Sequence, residues 1–229
     1  MVWSGGGYSV YTMKKDASQN LLNMPEQLSY PGSMINLAKD VYEPAEDSYL
    51  MIDAALSEIG KSNQALRILE IGTGSGIVSS VLIRKEPEHD YVTTDISPHA
   101  VLCAKSNGLQ VIRADLFAGL RGRFDLIIFN PPYLPTNPDD RIGGWLDCAW
   151  NGGDDGRRTI DRFLQQVPTF LADGASLLLL ISSLTGIDEV CAHMASAGFT
   201  VHEAASIRCP GELLVVLHGR WQNCKRDAP

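Results

Sequence analysis

Leu66-Arg67-Ile68-Leu69-Glu70-Ile71-Gly72-Thr73-Gly74-Ser75-Gly76 decides the fold. A short apolar run, residues 66–71, ends abruptly in three glycines spaced Gly-x-Gly-x-Gly. Such a run bounded by glycine reads as a buried strand. The glycines let the backbone turn tightly and approach a ligand closely. Ile77 to Arg84 follows with helical character. The dinucleotide fingerprint Gly-x-Gly-x-x-Gly is not met, because position 77 is Ile. A bare glycine loop could also be no more than a strand-to-helix turn.

Working outward, the same alternation repeats. Strands are expected at 91–94, 111–114, 124–129 and 177–181. Helices are expected at 46–59, from Ser97-Pro98 onward, at 159–171 and at 187–197. Ser97 reads as an N-cap with Pro98 at the first helical position. Residues 199–204 and 213–218 are joined only by a turn at Pro210-Gly211. A connection that short requires antiparallel strands. The expected architecture is α/β: a Rossmann-like, seven-stranded, mostly parallel sheet with an antiparallel last strand and helices on both faces. Residues 130–158 read as a long loop, and a loop of that length often covers a site. Residues 1–35 are polar and broken by Gly5–Gly7, Pro25, Pro31 and Gly32, so they read as a flexible extension. The domain is placed at 36–220, with a short tail at 221–229.

Composition narrows the function classes. The 229 residues carry a net charge of −8, against the basic face usual for phosphate-backbone binding. No apolar run reaches the length of a membrane span. The five cysteines are scattered without a Cys-x-x-Cys pair, as suits a reducing, cytoplasmic compartment. The five histidines show no ligand spacing, so no metal site is expected.

Three acids stand at three successive strand ends. Glu70 precedes the glycines, where it would repel a pyrophosphate but suit a cationic amino-acid group. Asp95 ends the second strand, where an acid holds a ribose hydroxyl. Asp115 ends the third, within reach of an adenine amino group. Each alone could cap a helix. Together they describe a ligand with an adenosine, a positive charge and no phosphate, and S-adenosylmethionine fits.

The fourth strand ends in Phe129-Asn130-Pro131-Pro132-Tyr133. Two prolines fix two φ angles and remove two donors. The stiff segment should leave its carbonyls without local partners, and Asn130 adds a side-chain acceptor. Two acceptors can grip both hydrogens of one NH₂ group, and Tyr133 can stack on a flat group. An amide or aniline-like nitrogen is a poor nucleophile, so aiming its lone pair supplies much of the rate, up to roughly 7–11 kcal/mol.

At these residues the chain resembles the HemK-type glutamine methyltransferases, in their archaeal and eukaryotic branch. Three segments carry the likeness, which spans residues 41–218. They are Val41-Tyr42-Glu43-Pro44-Ala45-Glu46-Asp47-Ser48, Asn130-Pro131-Pro132-Tyr133, and Ala149-Trp150-Asn151-Gly152-Gly153-Asp154-Asp155-Gly156-Arg157 with Asp161-Arg162-Phe163. The resemblance implies a class I methyltransferase acting on the Gly-Gly-Gln glutamine of a class-one translation release factor. It implies that Ser48, Glu70, Gly72, Gly74, Gly76, Asp95, Asp115, Leu116 and Asn130 line the cofactor. Asn130, Pro131 and Tyr133 would hold the amide. It also implies a small zinc-binding activator subunit on the edge strand Val111–Ala114, giving a heterodimer. A lysine acceptor, an RNA or DNA amino-base substrate, a non-catalytic scaffold and a dehydrogenase are the competing readings.

Overall fold

The computed structural model describes residues 27–30, 33–137 and 143–222. Its core is a seven-stranded sheet made of β3 (Arg67–Ile71), β4 (Asp90–Asp95), β5 (Val111–Arg113), β6 (Phe124–Phe129), β7 (Leu171–Ser182), β8 (Phe199–Cys209) and β9 (Glu212–Trp221). The spatial order is β5-β4-β3-β6-β7-β9-β8. The pairs β5–β4, β4–β3, β3–β6 and β6–β7 are parallel, while β9 runs antiparallel to both its neighbours. The expected sheet with its antiparallel last strand is therefore present. After β3 the chain builds β4 and β5 on one side and β6 on the other. The switch point thus lies between β3 and β6, and ligands bind at such a point, beyond the carboxyl ends of the strands.

The central strands are apolar throughout because both faces are covered. Ile68, Leu126, Ile128, Leu178 and Leu180 face α1 (Glu46–Ile59) and α2 (Ile77–Lys85), packing on Met51, Ile52, Val81 and Leu82. Their sequence neighbours Leu69, Ile127, Phe129, Leu177 and Leu179 face the other way, toward Ile160 and Phe163 of α5 (Arg158–Gln166) and Val190 of α6 (Ile187–Ser196). The period-2 alternation of strands sorts one continuous apolar run onto two cores. On the β5 side, α3 (Pro98–Ser106) adds a small third cluster of Val101, Ala104 and Val111. Its start is as expected: the Ser97 side chain accepts from the Ala100 amide, with Pro98 in the first turn. None of the described helices is long and apolar enough to cross a membrane.

Several boundaries differ from expectation. An antiparallel hairpin, β1 (Gln27–Tyr30) and β2 (Ser33–Asn36), lies in the stretch read as irregular. Each of its strands is only four residues long, too short for alternation to declare itself, but Ile35 is buried in the α1–α2 core. Residues 1–26 and 223–229 lie outside the described ones. Within the long loop stands a seven-residue helix, α4 (Gly144–Trp150). The helix expected to run to 171 stops at Gln166, and Pro168 falls in a 3₁₀ turn, Val167–Phe170. Strand β7 begins at Leu171, before the expected Asp173-Gly174 turn, with an irregular register between Phe124 and Leu126 of its partner. The last strand runs one residue into the expected tail, because Trp221 packs edge-on against Phe199.

Candidate functional site

The carboxyl ends of β3, β4 and β6, the segment before α1, and α4 with the following loop enclose one cavity of about 340 Å³. Of the residues expected at the site, Ser48, Glu70, Gly72, Gly74, Asp95, Asp115, Leu116, Asn130, Pro131 and Tyr133 all line it. Gly76 does not. It opens α2 with φ +87°, and a Cβ there would come 2.6 Å from Leu109 Cδ1 and 3.1 Å from Ala104 Cβ. Its hydrogen lets α2 pack against α3, so its role is packing rather than ligand contact. Gly74 (φ +58°) faces open space, as a residue beside a ligand should.

The acids brace the glycine loop as well as facing the cavity. Asp95 Oδ2 accepts from the Gly74 amide at 2.8 Å, and Oδ1 accepts from the Ser97 amide at 2.8 Å. Burial nevertheless pushes its carboxyl above the usual range. Glu70 Oε2 accepts from Thr73 Oγ1 at 2.8 Å, from the Ser79 amide at 3.2 Å and from Ser79 Oγ. Full burial raises its carboxyl to about 7 against the pull of these donors. Asp115 is half-exposed and pairs with Arg162 of α5 at 2.8 Å. The other arginine of the cavity wall, Arg158, donates to the carbonyl of Asn151 at 3.1 Å. Five carboxylates (Asp40, Asp47, Glu70, Asp95 and Asp115) and two engaged guanidiniums suit a cationic ligand better than a pyrophosphate. This counts against the dehydrogenase reading.

At the end of β6, Asn130 Nδ2 donates to Asp47 Oδ2 at 2.9 Å. Its Oδ1 is buried with no hydrogen-bond partner. A buried acceptor left unpaired is costly unless something fills it. The expected idle carbonyls are only partly realised, since that of Tyr133 accepts from Thr185 Oγ1 at 3.1 Å. The loop beyond is fastened to this segment. The Leu134 amide donates to the Trp150 carbonyl at 3.0 Å, and the Gly152 amide donates back to Leu134 at 2.9 Å. A Cβ on Gly156 would collide with the Tyr133 carbonyl oxygen. Trp145 and Trp150 line the cavity, and the guanidinium of Arg113 sits 5.6 Å above the Trp145 ring.

Sequence reasoning left two residues without a role. Asp47, in the first turn of α1, and Tyr42 stand there only as members of the Val41–Ser48 segment, with no role of their own. Both line the cavity, and the Tyr42 hydroxyl donates to Asp47 Oδ2 at 3.0 Å. Burial and that carboxylate hold the Tyr42 hydroxyl protonated far above its ordinary range.

This sheet order, with its glycine loop, acidic strand ends and Asn-Pro-Pro-Tyr segment, defines a class I methyltransferase fold. Residues 50–141 match the Methyltransferase small domain family. A putative protein N5-glutamine methyltransferase of Methanocaldococcus jannaschii is 38% identical over 197 residues, covering 83% of this chain and 96% of the relative. Human methyltransferase HEMK2 is 35% identical, covering 78% of this chain and 88% of the relative. Among solved structures, the E. cuniculi Mtq2–Trm112 complex, which methylates the eRF1 translation termination factor, aligns with a TM-score of 0.65. That chain is 29% identical, and the alignment covers 80% of this chain and 99% of it. The chain belongs to the HemK-type protein N5-glutamine methyltransferase family.

Proposed function

We propose that this chain uses S-adenosylmethionine to methylate the side-chain amide nitrogen of the glutamine in the Gly-Gly-Gln loop of a class-one translation termination factor, in the cytoplasm. The observation that carries the reading is the buried, partnerless Oδ1 of Asn130, a residue that lines the acidic cavity. An acceptor amide is a donor that fits it. Ser48, Glu70, Gly72, Gly74, Asp95, Asp115 and Leu116 are the residues that would hold the cofactor. When bound, S-adenosylmethionine supplies a methyl group on a positively charged sulfur, so the leaving group needs no acid. Asn130 Oδ1 accepts from one amide hydrogen, and Pro131 keeps the segment stiff. Tyr133 fixes the plane of the amide, so that its lone pair points at the carbon under attack. The nitrogen lone pair forms the new N–C bond, the C–S electrons stay on sulfur, and one N–H proton passes to water. No general base is assigned.

The edge strand supports a partner. β5 leaves Ile112 49% exposed, and Leu102 of the adjacent α3 is 68% exposed. An uncovered apolar edge is a liability that a bound subunit removes. The E. cuniculi relative is in a complex with a second protein, Trm112. Here the subunit would be small and zinc-binding.

The test is methyl transfer from labelled S-adenosylmethionine to a purified release factor, with and without its Gly-Gly-Gln glutamine, in the presence of the partner subunit. Asn130→Ala should lower turnover by about 10²-fold while cofactor affinity holds. Label that survives removal of the glutamine would move the acceptor to lysine. Label on RNA alone would reject the protein-substrate reading.

A further inference from the structure

Asn130 can do its work only if its amide faces the right way. A carboxamide offers an oxygen on one side and an NH₂ on the other, and a half-turn about its last bond exchanges them. With the oxygen toward the cavity it accepts from an amide substrate. With the NH₂ toward the cavity it meets the substrate's NH₂ donor to donor.

What settles the orientation is Asp47. It is only 3% exposed, and each of its oxygens meets two donors. Oδ1 accepts from the Ser48 amide at 2.6 Å and from Ser48 Oγ at 3.2 Å, while Oδ2 accepts from Tyr42 at 3.0 Å and from Asn130 Nδ2 at 2.9 Å. A carboxylate held by four donors is acceptor-only, so it admits the NH₂ of Asn130 and excludes its oxygen. Asn130 Oδ1 then lies on the side away from Asp47, and it is left without a partner.

The same contact puts a negative charge one hydrogen bond behind the acceptor site. The amide nitrogen becomes positive as it gives up its lone pair. A fixed carboxylate acting through the Asn130 amide favours that charge more than the neutral ground state.

We propose that Asp47 is a positioning residue for methyl transfer: it locks the Asn130 amide oxygen toward the acceptor and stabilises the charge that develops there. Tyr42 holds Asp47 in place. This rests on the reading that Asn130 grips the acceptor amide, but it assigns the orientation and the charge to a residue 83 positions earlier in the chain.

The experiment is a double-mutant cycle on the full chain with its partner subunit, reading kcat, KM for the release factor and cofactor affinity by calorimetry. Asp47→Ala alone should lower kcat by at least about tenfold, with cofactor affinity within about twofold of the parent. In an Asn130→Ala background the same substitution should cost less than about twofold, because a residue acting through Asn130 has nothing left to act on. Asp47→Asn keeps an acceptor for the Asn130 NH₂ and should recover part of the lost kcat. Equal losses in both backgrounds, an unchanged kcat, or a loss confined to cofactor affinity would each overturn the proposal. If Asn130→Ala itself keeps full turnover, the gripping role of Asn130 fails, and the single substitution shows this without the cycle. Should Asp47→Ala lose its folding transition, Tyr42→Phe takes its place. It removes one donor to Oδ2 and should lower kcat only while Asn130 is present; an equal loss without Asn130 counts against the proposal.

Discussion

Replacing Glu70 with Gln should change how the stability of this protein depends on pH. The Glu70 carboxyl is fully buried at the end of β3, and burial lifts it from the ordinary 4.5 to about 7. Between those two values the folded chain binds a proton that the unfolded chain has already lost. Stability falls with pH wherever the folded state holds more protons, so this group is favourable below about pH 4.5 and unfavourable above about pH 7. At 1.36 kcal/mol per pH unit, the interval amounts to roughly 3 kcal/mol. Gln at this position still offers an oxygen to Thr73 and Ser79 but has no proton to lose. The difference in unfolding free energy, Glu70→Gln minus parent, should therefore rise by roughly 3 kcal/mol between about pH 4.5 and pH 7. Urea denaturation of both proteins across that range measures it, and the subtraction removes every other titrating group. Parallel curves would refute the argument, since Glu70 would then be as well solvated in the fold as outside it. The same ionisation bears on the ligand. If Glu70 faces the cationic end of the cofactor, parent affinity should increase as pH rises toward about 7.5, below which an α-amino group stays protonated, and Glu70→Gln should lose that increase.

Two further substitutions separate ligand contact from packing. Asp95→Ala leaves the Gly74 and Ser97 amides without their acceptor and should weaken cofactor binding by roughly 1–3 kcal/mol, read by calorimetry. Normal affinity would remove Asp95 from the cofactor site. Gly76→Ala forces a Cβ against Leu109 at a positive φ and should lower unfolding free energy by roughly 2–4 kcal/mol, with cofactor affinity of the folded protein unchanged. A selective loss of affinity would return Gly76 to the ligand's side.

The sheet was legible because its signal is local. Leu66 to Ile71, Phe124 to Phe129 and Leu177 to Ile181 are uninterrupted apolar runs, and only strands buried on both faces can use them. The turn at Pro210-Gly211 is too short for anything but an antiparallel return. What escaped depends on distant partners. Strands β1 and β2 are only four residues each, too short to show a period. β2 is held because Ile35 enters the α1–α2 core, and because the Asn107 side chain donates to the Asn36 carbonyl at 2.9 Å while accepting from its amide at 2.8 Å. Helix α4 is bounded by glycine and too short to show a period. Its C-terminal end is fixed by contacts to Leu134 that no pattern within Gly144–Trp150 foretells.

The site divides along the same line. Residues that follow directly from a strand end were found, because the fold itself delivers Glu70, Asp95, Asp115 and Asn130 to one rim. Gly76 shows the limit of that argument: three glycines in a row of turns look alike in sequence, yet one faces a helix rather than the cavity. Asp47 shows the converse. It sits in a helical first turn, where an acid already has a sufficient explanation in the helix dipole. Only the fold reveals that α1 starts where β6 ends, so that this carboxylate meets the Asn130 amide across 83 residues. The Asn-Pro-Pro-Tyr segment is therefore an incomplete statement of the chemistry. It carries the acceptor oxygen, but the direction in which that oxygen points is written in Tyr42 and Asp47.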